Sequence, residues 1–182
     1  MRKLMVCIVS IAVFTQHPFG MGRKKPASIR DGITTNGVLL HLTSDQETYA
    51  RFDSILFSVT MYNERTTTIE SEKIFSDYVE PSSIVSLIAV DEQGNRYSGH
   101  AGNRTDPGDD FTHYSIQVLP NKTIQFNFYH RELTKPVTPA DEPLALMSDR
   151  IGPYTVHAEI SSEFLSSDKP LLSNTIQLSI HK

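Results

Sequence analysis

Through much of the chain, apolar and polar residues alternate with a period of two. In residues 53–63, Phe57, Val59 and Met61 alternate with Ser58, Thr60 and Tyr62, the pattern of a strand with one face in a core and the other toward water. Residues 123–129 repeat it, with Ile124, Phe126 and Phe128 set against Gln125 and Asn127. Residues 153–160 place Tyr154, Val156, Ala158 and Ile160 opposite Thr155, His157 and Glu159, and the last strand places Ile176, Leu178 and Ile180 opposite Gln177, Ser179 and His181. Residues 38–43 and 84–91 are further strong candidates, the second apolar enough to lie centrally. Residues 66–70, 95–98 and 113–118 carry weaker versions of the signal. No segment keeps a helical period for three turns. The pattern predicts an all-β fold, a single antiparallel β-sandwich of about 7–9 strands.

Turn formers divide these strands. Asp91-Glu92-Gln93-Gly94-Asn95 reads as a hairpin turn with Gly94 at positive φ. Two connections, residues 99–112 and 131–151, are too long for hairpins, and loops of this length on a rigid scaffold are where binding residues gather. In the second, Leu144, Ala145, Leu146 and Met147 predict a short helix plugging an open end of the sandwich.

The N-terminus follows different rules. Met1-Arg2-Lys3 is a positive start, and Leu4 to Phe14 is apolar apart from Ser10, the length of a signal-peptide core and too short to span a bilayer. Residues 1–22 are therefore expected to be a signal peptide. Residues 23–36 are basic and then polar, and are expected to be a flexible linker to a domain at 37–182. The expected location is periplasmic or secreted. Cys7 is the only cysteine and lies in the apolar run, so the mature protein has no disulfide, which suits a bacterial envelope protein.

Composition narrows the function classes. Charged residues make up 21% and hydrophobic ones 38% of 182 residues, values of a folded, non-membrane domain. The formal net charge of −4 becomes −6 once Arg2 and Lys3 leave with the signal peptide; an acidic surface does not favour nucleic acid as a partner. The chain lacks the nucleophile-elbow, zinc-protease and phosphate-loop motifs, so no catalytic residues are assigned and no cofactor is expected. One cluster suggests a divalent metal: His100, Asp106, Asp109, Asp110 and His113 put two imidazoles and three carboxylates into fourteen residues. A solvated acidic loop explains the same residues. For a partner, the mouth of the second loop offers His130 and Arg131, with Leu144 and Met147 further along. His41 and His157 fall on the polar rows of their strands and read as solvated.

The order of elements carries a resemblance. Tyr49 opens a turn before a strand ending in Asn63. The Asp91 to Asn95 hairpin, Leu119-Pro120-Asn121-Lys122 and Gly152-Pro153-Tyr154 follow. The chain from about residue 37 onward resembles bacterial immunoglobulin-like domains, and more weakly the family named for an intracellular proteinase inhibitor. In such domains a Tyr-x-x-Gly-Asp/Glu turn leads into the strand ending in Asn, and a Leu-x-Pro-Gly turn precedes a later strand. Here Ala50-Arg51-Phe52-Asp53 replaces the glycine-containing turn, and Asn121 stands where glycine is usual. The resemblance implies an immunoglobulin-like sandwich, and the absence of catalytic motifs together with the two long loops leads to the expectation of a non-enzymatic binding module. It would present loops or a sheet edge to a protein or glycan partner; the alternatives are an inhibitor of an exported protease, or a small metal-binding protein or hydrolase.

Overall fold

A computed structural model describes residues 33–76, 84–100, 111–165 and 167–182. The expected signal peptide and most of the expected linker lie outside these residues, as do Asp106, Asp109 and Asp110. The described chain forms β1 (Ile33–Thr35), β2 (Val38–Ser44), β3 (Thr48–Ala50), β4 (Leu56–Asn63), β5 (Ile69–Ser76), β6 (Val85–Asp91), β7 (Arg96–His100), β8 (Phe111–Val118), β9 (Thr123–Tyr129), β10 (Glu142–Pro143), β11 (Gly152–Ile160), β12 (Leu171–Leu172) and β13 (Ile176–His181). It also contains two 3-10 segments, His130–Glu132 and Leu144–Asp149, and one turn of α-helix, Ser162–Leu165. Nine of these strands have five or more residues. The other four are too short for alternation to reveal them.

Two sheets pack face to face. One has the order β1-β2-β4-β9, and the other β10-β7-β6-β11-β13-β3, with β12 on β11. β5 and β8 form a separate two-stranded ladder, in register from Ile69↔Val118 to Ser76↔Phe111. The alternating rows named from sequence meet inside: Phe57, Val59, Met61, Phe126, Phe128, Val156, Leu178 and Ile180 share one core. A fully buried side chain such as Phe57 contributes about 1.5–3 kcal/mol, so this interior holds the sheets together. The architecture is an immunoglobulin-like β-sandwich.

Three details depart from the sequence reading. First, the sandwich is not wholly antiparallel, because β3 pairs parallel to β13 and β10 parallel to β7. After β2 the chain crosses to the other sheet, where β3 pairs with the last strand. The buried Tyr49 anchors that crossing: its hydroxyl donates to Asp45 Oδ1 at 2.7 Å and accepts from Gln46 N at 2.9 Å. Burial, with the Asp45 carboxylate beside it, pushes the Tyr49 pKa up to about 12.

Second, the last residues of the expected linker form a hairpin. Asn36 and Gly37 take φ of 50° and 71° between the paired Thr35 and Val38, the two-residue turn that Asn-Gly favours. Third, β2 is buried on both faces from Val38 to Leu42. His41, expected in solvent, is 9% exposed, and Leu39 beside it is 1% exposed. His157 is half-buried, and burial lowers its pKa.

Side chains finish what the backbone ladders leave open. Asn174 accepts from Leu42 N at 2.8 Å and donates to Leu42 O at 3.0 Å, so one amide stands in for a neighbouring strand where β1 has ended. The buried Asn63 closes the far end of β4. Its amide donates to Thr67 O at 2.9 Å and Val118 O at 2.7 Å, and its oxygen accepts from Arg65 N at 2.9 Å. These bonds tie the base of the β5–β8 ladder to the sandwich.

Candidate functional site

One end of the sandwich is closed by the connection from β9 to β11. Leu133, Leu144 and Met147 are 1%, 0% and 0% exposed and fill the space between the sheets, so the predicted plug exists as the 3-10 segment Leu144–Asp149. Gly99 admits it. A Cβ there would lie 2.6 Å from Leu133 O and 2.7 Å from Leu133 Cβ, so only glycine permits this approach of turn to strand. The middle of the connection lies along β7: Val137 N donates to Ser98 Oγ at 2.8 Å, and His100 N donates to Lys135 O at 3.3 Å.

His130 ties the plug to the strands. Its Nδ1 accepts from Ile55 N–H at 3.1 Å, which puts the ring proton on Nε2, 2.8 Å from Ser148 Oγ. Ser148 Oγ also accepts from Arg131 at 3.0 Å, and Arg131 reaches Asp149 Oδ1 at 3.2 Å. Burial, reinforced by the Arg131 guanidinium, lowers the His130 pKa to about 4. A Ser–His pair invites a catalytic reading, but the chemistry opposes it. A general base needs an unprotonated nitrogen toward the hydroxyl, whereas this one donates, and both residues are 0% exposed. The pair is a latch.

Outside the latch the chain makes a strained turn. Phe52 has φ of 72° and is 58% exposed, a conformation unusual for a bulky residue and costing about 1–3 kcal/mol. Surrounding bonds hold it there. Phe52 N donates to Ser148 O at 3.0 Å, Arg51 N to His181 O at 2.8 Å, Asp53 N to Ala50 O at 3.1 Å, and Ala50 N to Asp53 Oδ2 at 2.8 Å. Arg51 Nε donates to Asp149 O at 2.9 Å, and its guanidinium lies 4.6 Å from the Phe52 ring centre, a favourable cation–ring contact. Exposed Leu146 and Ile151, at 43% and 48%, flank Ser148 and Asp149 in sequence.

The residues named from sequence therefore divide by exposure. Arg131 faces outward beside Phe52, its side chain 41% exposed. His130, Leu144 and Met147, offered to a partner by the sequence reading, are buried beneath that surface and shape it from inside. They are internal because the connection folds back on the core. Phe52 and Arg51 were missed. The available signal was a phenylalanine at the place where resembling domains carry glycine.

Of the expected metal cluster, His100 is half-buried at the end of β7, and its pKa is lowered by burial and then by Lys135. The three aspartates and the His113 side chain lie outside what is described, and among the described residues no three His, Cys, Asp or Glu converge. A second feature, a hollow of about 140 Å³, lies between the Asp91 to Asn95 turn and Arg150 to Tyr154. The Asp91 carboxylate is occupied by its own turn, accepting from Gln93 N at 3.0 Å and from Asn95 N and Nδ2 at 2.8 Å. Gly94 has φ of 83°, as the hairpin reading required.

These features define one closed end of a β-sandwich, and no catalytic group is assembled there among the described residues. No family model and no curated protein matches the chain. Solved structures do. The C-terminal domain of wzt is similar over 83% of this chain and 77% of its own, at 14% identity and a TM-score of 0.44. The CARDB domain of a Pyrococcus furiosus protein, solved with di-metal ions, is similar over 81% of this chain and 97% of its own, at 10% identity and a TM-score of 0.40. The sporulation control protein of Bacillus subtilis is similar over 81% of this chain and 51% of its own, at 10% identity and a TM-score of 0.42. Likeness at this level concerns fold and does not extend to ligand or partner.

Proposed function

We propose that this chain is an exported, non-enzymatic binding module whose recognition surface is the plugged end of the sandwich, centred on Phe52, Arg51 and Arg131. The observation that carries this reading is the exposed Phe52 ring held at positive φ by bonds on both sides. The ring's contact with Arg51 returns about 0.5–1 kcal/mol at an exposed site, less than the roughly 1–3 kcal/mol of strain, and strain of this kind gathers at functional positions. Large rings and arginines on a rigid base are the residues that dominate protein–protein contacts, so the partner is taken to be a protein of the cell envelope. The inhibitor alternative needs a projecting 131–151 loop. That connection lies against β7 and the core instead, which disfavours insertion into a protease cleft.

The test is a pull-down from envelope extract with the protein and its Phe52→Gly variant, which keeps the backbone conformation. Loss of a specific protein partner with the variant supports the reading. Identical partner lists, or retention of polysaccharide alone, overturn it.

A further inference from the structure

Among the described residues, the edges of the two packed sheets are short, with one exception. β1 and β3 have three residues, and β10 and β12 have two, lengths that give a foreign strand little to pair with. Asn174 covers part of β2. The remaining edge is β9, seven residues long and paired, among the described residues, only to β4.

The direction of its free groups follows from its ends. His130 N donates to Ile55 O, and Asn63 N donates to Lys122 O. In an antiparallel ladder these groups alternate, so even-numbered residues bond β4, and Thr123, Gln125 and Asn127 direct N–H and C=O outward. No bond to these groups occurs among the described residues, while the next outward donor, Tyr129 N, is taken by Glu132 Oε2 at 3.1 Å. The side chains of Thr123, Gln125, Asn127 and Tyr129 are exposed and uncharged. Charged side chains, proline or a bulge ordinarily protect such an edge. Residues 123–129 contain none of these protections.

We infer that two copies of this chain associate edge to edge through β9, antiparallel about a two-fold axis at Gln125. The free groups are symmetric about that residue. Thr123 of each copy meets Asn127 of the other, Gln125 meets Gln125, and every outward donor among the three finds an acceptor. No like charges oppose one another along the paired row. Such a contact is self-complementary, as a closed two-fold dimer requires, and it continues β1-β2-β4-β9 into the matching sheet of the second copy.

Sedimentation equilibrium and amide exchange test this. Gln125→Pro removes the central donors at an edge position where proline is tolerated; Gln125→Lys keeps the backbone and sets like charges opposite each other. Wild-type protein is expected to be dimeric where Gln125→Pro is monomeric. Gln125→Lys should weaken the dimer about fivefold, with recovery in high salt, and both variants should melt near wild type. The amides of Thr123, Gln125 and Asn127 should gain protection with protein concentration. A wild-type monomer at the highest attainable concentration, dimers unaffected by both variants, or concentration-independent exchange at those amides would each overturn the inference. So would a monomeric protein whose β9 pairs only with a strand of another protein.

Discussion

Glycine and alanine at position 52 should reverse their usual order of stability. At ordinary sites glycine is the worse choice, by about 0.5–1 kcal/mol, because it loses more chain entropy on folding. At φ of 72° a Cβ is strained, and removing it returns about 1–2 kcal/mol. Either substitution also loses the ring's contact with Arg51, about 0.5–1 kcal/mol at an exposed site. Phe52→Gly should therefore unfold close to wild type. Phe52→Ala keeps the strain without the contact, and should lie about 1 kcal/mol below the glycine variant, or roughly 3 °C in Tm for a domain of this size. Thermal and urea unfolding of the three proteins measures the difference. An alanine variant as stable as glycine, or more so, would show that no strain is held at Phe52, and the argument placing recognition there would fail.

Three further outcomes follow from the plug and its supports. The folded pKa of His130 lies below its unfolded value of 6.5, at about 4. Its contribution is therefore complete above pH 6.5, is lost as pH falls toward 4, and amounts to about 3 kcal/mol; urea unfolding across that range should show this loss, reduced in His130→Gln. Gly99→Ala forces a Cβ into Leu133 and should cost about 1–3 kcal/mol by overpacking, visible as a lower Tm. Asn63→Ala strands Thr67 O, Val118 O and Arg65 N. It should cost about 1–3 kcal/mol and speed exchange of the Arg65 amide.

Alternation made the sandwich legible. Phe57, Phe126, Val156 and Leu178 were set in inward rows by a two-residue period, and they meet in one core. The Asp91 turn was equally readable, because an aspartate bonding its own backbone and a glycine at positive φ are local chemistry. The Asn36-Gly37 hairpin was local too, but β1, its first strand, has only three residues and carries too little alternation to be noticed.

What remained hidden depends on contacts between residues far apart in the chain. Whether His130 and Met147 face water or a core is decided by a connection folding back over an open sheet end, to which periodicity is blind. The same holds for His41, whose row reads as polar although β2 is buried on both faces. At Phe52, sequence showed only a missing glycine. Bonds from Ser148, His181 and Asp149 hold the positive φ there, and those partners lie about a hundred residues away. Side-chain pattern along a strand is a local property and survives in one dimension; the environment of a turn is set by whatever the rest of the chain brings to it.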